Sequence, residues 1–529
     1  MTPPSCPPPT RWWPLVAICL GTFMLLVDVT IVGVALPSMA TDLNASLASL
    51  QWVVDAYALS LAALVLVSGS LADRFGRRRL FELGLMLFAG ASLACAVAPS
   101  AGLLIAARAV QGIGGAAMFA TNSALIAASY DGRARGIAFG IWGGVNGAAA
   151  AIAPILGGLL IQAFDWRSIF LVNLPIAVVA LALTRRALSE SHGYSGSIDW
   201  LGAASFTTAA AAVTFGLIHG GESGWGSAAS IVAFAGAALA VVVFGVVQAR
   251  RTSPLIDLDL LRRPAFATLM VAAILLSAGA FAVTAYTQLW LQSVLDLSPI
   301  DAGLVLAPLA MVAFAVSAGI GRFMHRMPAR WPLGGGLVLI GAGALLRTLI
   351  TGGSGWSVLL AGLVVTGIGV GLASPVLVSA ALAAAPGERG GMASGAVNTF
   401  RQLGFALGIA VLGTLFTNRL VTGFAHRAGL GDGHRAAALA GGGETRALVS
   451  GAPPASRDLV DRLVHVAYAG ALDRIYLVSG VAAIVGGLLV LTLVSPASPA
   501  SPASPAVSDP ARAVPDPAPQ PAELSTAPR

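Results

Sequence analysis

The chain is a series of long apolar runs separated by short polar connections, and this pattern continues to about residue 494. A run of roughly 18 residues or more is long enough to cross a hydrocarbon core of about 30 Å as a helix. Because a backbone in lipid must satisfy its own hydrogen bonds, we interpret each run as a membrane-spanning helix. The pattern predicts fourteen spans, at residues 12–36, 50–72, 80–98, 102–127, 136–163, 167–185, 200–218, 228–248, 266–291, 302–324, 333–351, 356–384, 394–419 and 474–494.

The predicted spans group into two six-helix bundles with two helices inserted between them. Residues 420–473 form the one long connection, which we place outside the cell. The Pro-rich ends, 1–11 and 495–529, have the composition of disordered cytoplasmic segments. The predicted fold class is therefore an all-α integral membrane protein, with a first bundle at 12–185, an insertion of two helices and their linkers at 186–265, and a second bundle at 266–494.

Composition supports this interpretation, because 57% of the residues are hydrophobic and only 10% are charged. A mean hydropathy of +0.85 leaves too little polar surface for a soluble protein of 529 residues. The chain spans a lipid bilayer, and we expect it in the cell membrane.

The net charge of +7 comes from arginines in the short loops, and the chain has no lysine. With the N-terminus inside, the only arginine in a short outer loop is Arg167, which is the positive-inside pattern. Topology thus explains the charge without a nucleic-acid partner and predicts cytoplasmic termini. The fifteen arginines of the short inner loops are Arg74, Arg77, Arg78, Arg79, Arg133, Arg135, Arg185, Arg186, Arg250, Arg251, Arg262, Arg263, Arg326, Arg330 and Arg389.

The stretch Gly69–Arg79 places one acid and four arginines between two apolar runs. Gly69 and Gly76 permit a tight turn or a close approach of two backbones. Asp73 can cap a helix or pair with an arginine across the seam between the bundles. The alternative is that the arginines merely enforce topology.

Two short similarities relate the halves of the chain to each other. Residues 69–76 resemble 321–328 and residues 136–140 resemble 391–395, at offsets of 252 and 255 residues. Two similarities at nearly one offset indicate a duplicated six-span unit with a substrate cavity between the copies. His325 stands at the place of the acid in the second copy.

Two charged residues lie at similar predicted depth within the first bundle. Asp28 lies eight residues before Leu36, about 12 Å from the outer end of its span, and Arg108 lies about 9 Å deep in the fourth span. Charges at this depth are costly unless they face a partner or a cavity, so we expect the two residues to pair and a proton to be exchanged at this pair. A fixed structural ion pair is the alternative. Asp55, near the outer start of the second span, is either a second titrating group or an acid in contact with interfacial water.

These motifs resemble the major facilitator superfamily, and within it the fourteen-span drug:proton antiporters, along residues 12–494. The run LLVDVTIVGVALP around Asp28 resembles the family's first-span motif, with Gly33 where Asn is usual. The fourth span resembles motif B at Leu104, Arg108, Gln111, Gly112 and Gly114. The cytoplasmic gating motif of the family, motif A, is matched at Gly69, Leu71, Asp73, Arg74, Gly76, Arg77 and Arg78.

The fifth span resembles the antiporter motif C through Pro154, Gly157 and Gly158. Small residues allow close helix packing, and Pro154 favours a bend. Ala153 replaces the glycine that the family has before this proline, and packing by small residues explains the glycines without any exchange function.

The resemblance implies a proton-coupled efflux transporter that exports hydrophobic or cationic drugs by alternating access. Asp28, Arg108 and Asp55 would couple protons, and the motif around Asp73 would gate the cytoplasmic side. The alternatives are an exporter of one endogenous metabolite, or a membrane scaffold or sensor that does not transport.

We expect no enzymatic activity, because the sequence has no phosphate-binding loop, metal-ligand cluster or nucleophile elbow. The expected energy source is the proton gradient, with no cofactor and no nucleotide. The expected partners are protons, a small-molecule substrate and lipid. A monomer is compatible with the sequence, which does not determine the oligomeric state.

Overall fold

The structure is a computed structural model that describes residues 12–45, 47–193, 199–251, 258–321, 327–385, 389–425, 440 and 445–494. Within these ranges the regular elements are all helices. In the first half these are α1 (Trp13–Asp42), α2 (Leu47–Phe75), α3 (Arg77–Ala96), α4 (Ala101–Ser129), α5 (Gly132–Ala163), α6 (Ser168–Leu171) and α7 (Asn173–Ala187). The inserted pair is α8 (Trp200–Ser223) and α9 (Ala228–Arg250).

The second half begins with a short helix and contains one π-helical turn, Ser277–Ala282. Short 3₁₀ turns occur at Arg347–Leu349, Trp356–Leu359 and Pro454–Ser456. The helices are α10 (Leu258–Arg262), α11 (Pro264–Leu276), α12 (Val283–Ser293), α13 (Pro299–Ile320), α14 (Arg330–Leu346), α15 (Leu360–Ala384), α16 (Gly390–Ala425), α17 (Thr445–Ser450) and α18 (Arg457–Leu493).

Thirteen helices of the described residues are long and apolar enough to cross a membrane. In this count α6 and α7 form one span, and α11, the π turn and α12 form another. The 32-residue helix α5 lies at the remaining predicted span. The helices therefore follow the predicted pattern span for span, and the all-α membrane fold is confirmed.

The connection before the last span is shorter than the predicted loop 420–473. Helix α16 continues to Ala425, and α18 already begins at Arg457. Hydropathy missed the start of α18 because residues 457–473 carry several charges, including Arg457, Asp458 and Arg462. The central part of the connection, 426–439 and 441–444, lies outside the described residues, as do the predicted disordered segments 1–11 and 495–529.

Packing separates the chain into two bundles with one pair of helices beside them. In the first bundle α4 packs on α2 and α3, and α1 packs on α5 and α7. In the second bundle α14 packs on α15 and α18, while α16 packs on α11 and α18. Of the inserted pair, α8 lies against α2 and α16, and α9 packs on α8.

The seam between the bundles is built mainly by α5 against α13 and by α2 against α16. Small residues let these backbones approach closely. A Cβ at Gly144 would fall 2.9 Å or less from two ring atoms of Phe314, and the Ser317 hydroxyl donates to the Gly140 carbonyl at 2.8 Å. The glycines of the fifth span therefore join the two halves of the molecule.

Arg167, the exception to the predicted arginine pattern, has a local partner. Its guanidinium lies 2.8 Å from Asp42, and it stacks 4.4 Å from the ring centre of its neighbour Trp166. The pKa of the Asp42 carboxyl group is lowered chiefly by the hydrogen bond that it accepts from Trp166, and next by the one from Arg167. The pair ties the end of α1 to the start of α6.

Candidate functional site

A fully buried ion pair lies inside the first bundle. Asp28 on α1 and Arg108 on α4 approach to 2.5 Å, and neither side chain is exposed. The Arg108 Nε atom also donates to the Val53 carbonyl at 3.1 Å, and Nη1 donates to Gln111 at 2.7 Å. A buried pair is tolerated when further hydrogen bonds support the charges, and these two bonds support the guanidinium of Arg108.

Amide groups complete the environment of the Asp28 carboxylate. Its Oδ1 atom accepts from Gln111 at 2.9 Å and from Asn173 at 3.0 Å. The Ser92 hydroxyl accepts from the same two amides, at 2.7 and 3.1 Å. Side chains from α1, α3, α4 and α7 thus meet at one carboxylate, which we call the Asp28 cluster (Asp28, Ser92, Arg108, Gln111 and Asn173).

Aromatic rings cover the guanidinium of the cluster. The Tyr57 ring centre lies 4.3 Å from the guanidinium carbon of Arg108, and Phe170 lies 5.9 Å away. The Arg108 Nη2 and the Tyr57 hydroxyl are buried and have no hydrogen-bond partner among the described residues. The guanidinium of Arg108 is thus enclosed by aromatic side chains as well as by its hydrogen-bond partners.

A second acid links the two bundles at the end of the molecule that carries Gly69–Arg79. Asp73 accepts from Arg77 Nη2 at 2.8 Å and from the backbone N–H groups of Gly391 and Met392 at 2.9 and 3.0 Å. These amides begin α16, so the carboxylate neutralises the positive end of a helix in the other bundle. We call Asp73, Arg77 and this helix start the latch.

The same stretch also holds the segment that leads to the inserted helices. The Glu190 carboxylate accepts from the backbone N–H groups of Arg78 and Arg79 at 3.0 and 3.2 Å, which caps α3. Gly193 donates to the Asp73 carbonyl at 2.7 Å. Gly76 has a φ of +107°, and a Cβ there would lie 2.6 Å from Glu190. Glycine is therefore required at this turn.

Comparison with known proteins identifies the family. A family model described as Major Facilitator Superfamily matches residues 18–409. The chain belongs to the major facilitator superfamily.

Among its relatives, the multidrug resistance protein Stp of Mycobacterium tuberculosis is 34% identical over 408 residues, which is 77% of this chain and 76% of Stp. The probable actinorhodin transporter of Streptomyces coelicolor is 35% identical over 424 residues, covering 78% of this chain and 73% of that protein. The crystal structure of the human organic anion transporter MFSD10 (TETRAN) matches with a TM-score of 0.61 at 15% identity, over 91% of this chain and 100% of that one. The expected family and the multi-pass membrane fold are thus confirmed.

In this major facilitator protein, Asp28 and Arg108 meet as the sequence predicts, whereas Asp55 lies elsewhere. Val53 and Tyr57, which contact Arg108, are one helical turn apart on α2. Asp55 lies midway between them, on roughly the opposite side of the helix. It is half-buried, and its position on the helix places it away from the side of α2 that contacts Arg108.

Within motif A, the residues differ in position. Arg77 is buried in the latch, and Gly69 faces the backbone of Gly391 on α16. Arg78 instead reaches Glu82 at 2.8 Å. The exposed Arg74 lies with its guanidinium carbon 5.8 Å from the ring centre of Phe75. The echo residue His325 lies outside the described residues.

Motif C lies within the continuous helix α5. A Cβ at Gly157 would meet Ile31 of α1 at 2.7 Å, and one at Gly158 would meet Ile300 of α13 at 3.0 Å. These glycines pack against both bundles. The side chain of Pro154 lies outside the described part of the structure.

The sequence did not identify three groups as members of these sites: Asn173, Ser92 and Glu190. Asn173 is a lone amide in an apolar span, which is the signal that could have marked it. Glu190 lies in a loop, where its capping role depends on a fold that brings residues more than a hundred positions apart together.

Proposed function

We propose that this transporter exports hydrophobic or cationic small molecules in exchange for protons, as the resistance name of its relative Stp suggests. The observation that supports proton exchange most strongly is the fully buried Asp28–Arg108 pair. We further propose that the protein lies in the plasma membrane with cytoplasmic termini. Protons, not a nucleotide, supply the energy, and one proton crossing 100 mV contributes roughly 2.3 kcal/mol.

The proton acts through the charge balance of the Asp28 cluster. When Asp28 takes up a proton, the Arg108 guanidinium loses its counter-charge and both amides lose a charged acceptor. A buried cation without its anion is strongly unfavourable, so α1 and α4 favour another arrangement. Protonation thereby changes the relative stability of the two conformations of the transporter.

The latch marks which conformation the structure represents. Asp73 holds the ends of α2 and α16 together, and we assign this end to the cytoplasm. In this state the cytoplasmic side is closed, and opening it requires the Asp73 carboxylate to leave the start of α16.

The test uses everted membrane vesicles and a panel of fluorescent cationic dyes. With an imposed pH gradient, the wild-type protein accumulates dye against its concentration gradient. Asp28→Asn abolishes this uphill movement but still lets dye equilibrate, because the substrate site is intact. The matched control is Asp131→Asn, since Asp131 pairs with Arg135 at 2.6 Å but its side chain is 96% exposed.

Two outcomes would contradict the proposal. If the Asp28→Asn variant still accumulates dye against its concentration gradient, Asp28 does not couple protons to export. If the wild-type protein moves no dye under any gradient, the proposal of drug export is wrong.

A second candidate substrate is one endogenous metabolite, which the name of the actinorhodin transporter relative favours. The dye panel separates the two, because a dedicated exporter moves one compound and ignores the dyes.

A further inference from the structure

Three buried asparagines lie on helices near the place where α4 of the first bundle packs on α16 of the second. Asn122 lies on α4, Asn146 on α5 and Asn398 on α16, with exposed fractions of 0%, 7% and 1%. The amide oxygen of each has no hydrogen-bond partner among the described residues. A buried amide oxygen without a donor is costly, and three of them require an explanation.

The orientation of the Asn122 amide follows from its partner. Thr22 donates its hydroxyl proton to the Ile18 carbonyl at 2.9 Å. Its oxygen is therefore left to accept, which it does from Trp142 Nε1 at 2.9 Å and from Asn122 Nδ2 at 2.8 Å. Reversing the amide would place two acceptors face to face, so the Asn122 oxygen must point away from Thr22.

The other two amides are fixed in the same manner, because each NH₂ group meets a backbone carbonyl. Asn146 donates to the Trp142 carbonyl at 2.7 Å, and Asn398 donates across the seam to the Phe119 carbonyl at 2.9 Å. A carbonyl oxygen is an acceptor only. Each of the three asparagines thus donates one hydrogen bond within the fold, and its amide oxygen has no partner among the described residues.

The three groups belong to one region of the seam. Asn122 and the Trp142 indole both donate to Thr22, and Asn146 donates to the Trp142 carbonyl, so Thr22 and Trp142 link the two asparagines. Phe119, the partner of Asn398, precedes Asn122 by three residues and therefore lies on the same face of α4. The bond from Asn398 to Phe119 joins the two bundles, so their relative movement in a transport cycle would open this region.

A positive charge near the three asparagines limits which chemical groups a ligand can place there. Arg401 lies one turn beyond Asn398 on α16, is buried, and has a guanidinium nitrogen without a partner among the described residues. A fixed positive charge there disfavours a compact ammonium group. Hydroxyl, amide and aryl-amine groups fit better, because they donate hydrogen bonds without concentrating a positive charge.

We propose that Asn122, Asn146 and Asn398 form a substrate site that recognises hydrogen-bond donors on an otherwise apolar aromatic molecule. This inference rests on the proposed export function and specifies its substrate class. The transporter selects molecules with free N–H or O–H groups over analogues in which these groups are alkylated.

The test compares two dyes that share a scaffold and a charge. Rhodamine 123 carries N–H donors, and its tetramethylated analogue has none on those nitrogens. We expect the purified wild-type protein to bind rhodamine 123 about tenfold more tightly. Asn122→Leu, Asn146→Leu and Asn398→Leu should each weaken this binding about threefold to tenfold and leave the tetramethyl dye within about twofold. Asn418→Leu, at an exposed asparagine of α16, is the matched control.

Binding of the tetramethyl dye also reports whether each variant is folded, and Asn398→Ser provides a milder second change. Equal losses for both dyes would show that the asparagines support structure only, and would overturn the donor site while leaving drug export intact. Equal wild-type affinity for both dyes would overturn it too. A wild-type protein that binds and exports neither dye would overturn both proposals.

Discussion

Each bundle buries an arginine completely, but only one of the two arginines has an acid. Arg108 in the first bundle contacts Asp28 at 2.5 Å. Arg347, after α14 in the second bundle, donates to the Gly343 carbonyl at 3.2 Å and to Thr366 at 3.4 Å, and lies 4.8 Å from the ring centre of Tyr476. Among the described residues it forms no ion pair, and its Nη1 has no hydrogen-bond partner.

The predicted internal repeat allows the positions of Asp28 and Arg108 to be compared with the corresponding positions of the second bundle. The offsets of 252 and 255 residues carry Asp28 onto residues 280–283, an apolar stretch that begins inside the π turn. The same offsets carry Arg108 onto 360–363, where Gly362 makes room for the side chain of Arg347. Carried back, Arg347 falls on residues 92–95, which include Ser92 of the Asp28 cluster.

The comparison teaches that a duplicated unit can divide its tasks. The first bundle pairs its buried cation with a group that can take up a proton, so its internal charge can change. The second bundle holds a buried guanidinium that lies beside a tyrosine ring and donates to two neutral acceptors. In the proposed mechanism, proton coupling therefore belongs to the first bundle alone.

The largest expected effect comes from removing the acid of the first bundle. Asp28→Leu should destabilise the protein by about 3–5 kcal/mol, because it strands a buried guanidinium. The double variant Asp28→Leu/Arg108→Met should recover at least half of this loss. Unfolding in a mixed-detergent titration measures both, and a double variant as unstable as the single one would contradict the charge argument.

A smaller effect should separate motif A from its echo. Asp73→Asn should reduce dye export about tenfold, because the latch loses hydrogen bonds to a charged acceptor that are worth roughly 1.5–3 kcal/mol each. His325→Ala is the control, and we expect export to change less than about twofold. The measurement is the initial rate of dye export in vesicles for each variant. Comparable losses of rate in both variants would show that motif A and its echo act alike.

The smallest effect should come from the cation of the second bundle. Arg347→Met should change stability by less than about 1 kcal/mol, because it strands no carboxylate and removes a buried charge. Arg108→Met, measured in the same titration, should cost several times more since it leaves Asp28 uncompensated. Similar costs for the two substitutions would show that pairing with an acid does not distinguish the bundles.

Sequence predicted the spans and the meeting of Asp28 with Arg108, because apolar length and the depth of a charge are both set by local spacing. It did not predict that Asp55 faces away, since its span could be rotated freely about its axis until packing was known. Nor did it predict that Arg347 has no acidic partner among the described residues. That property depends on which side chains α15 and α18 present to it, and these helices are distant in sequence.

The attachment of Glu190 and Gly193 to the latch stretch has a consequence for the lipid dependence of the protein. The segment that holds α3 and Asp73 continues towards the membrane pair α8 and α9. Helix α8 also packs on both α2 and α16, the two helices that the latch joins. We therefore expect separation of the latch to change the surroundings of the inserted pair, and export to depend on how well the bilayer thickness matches α8 and α9.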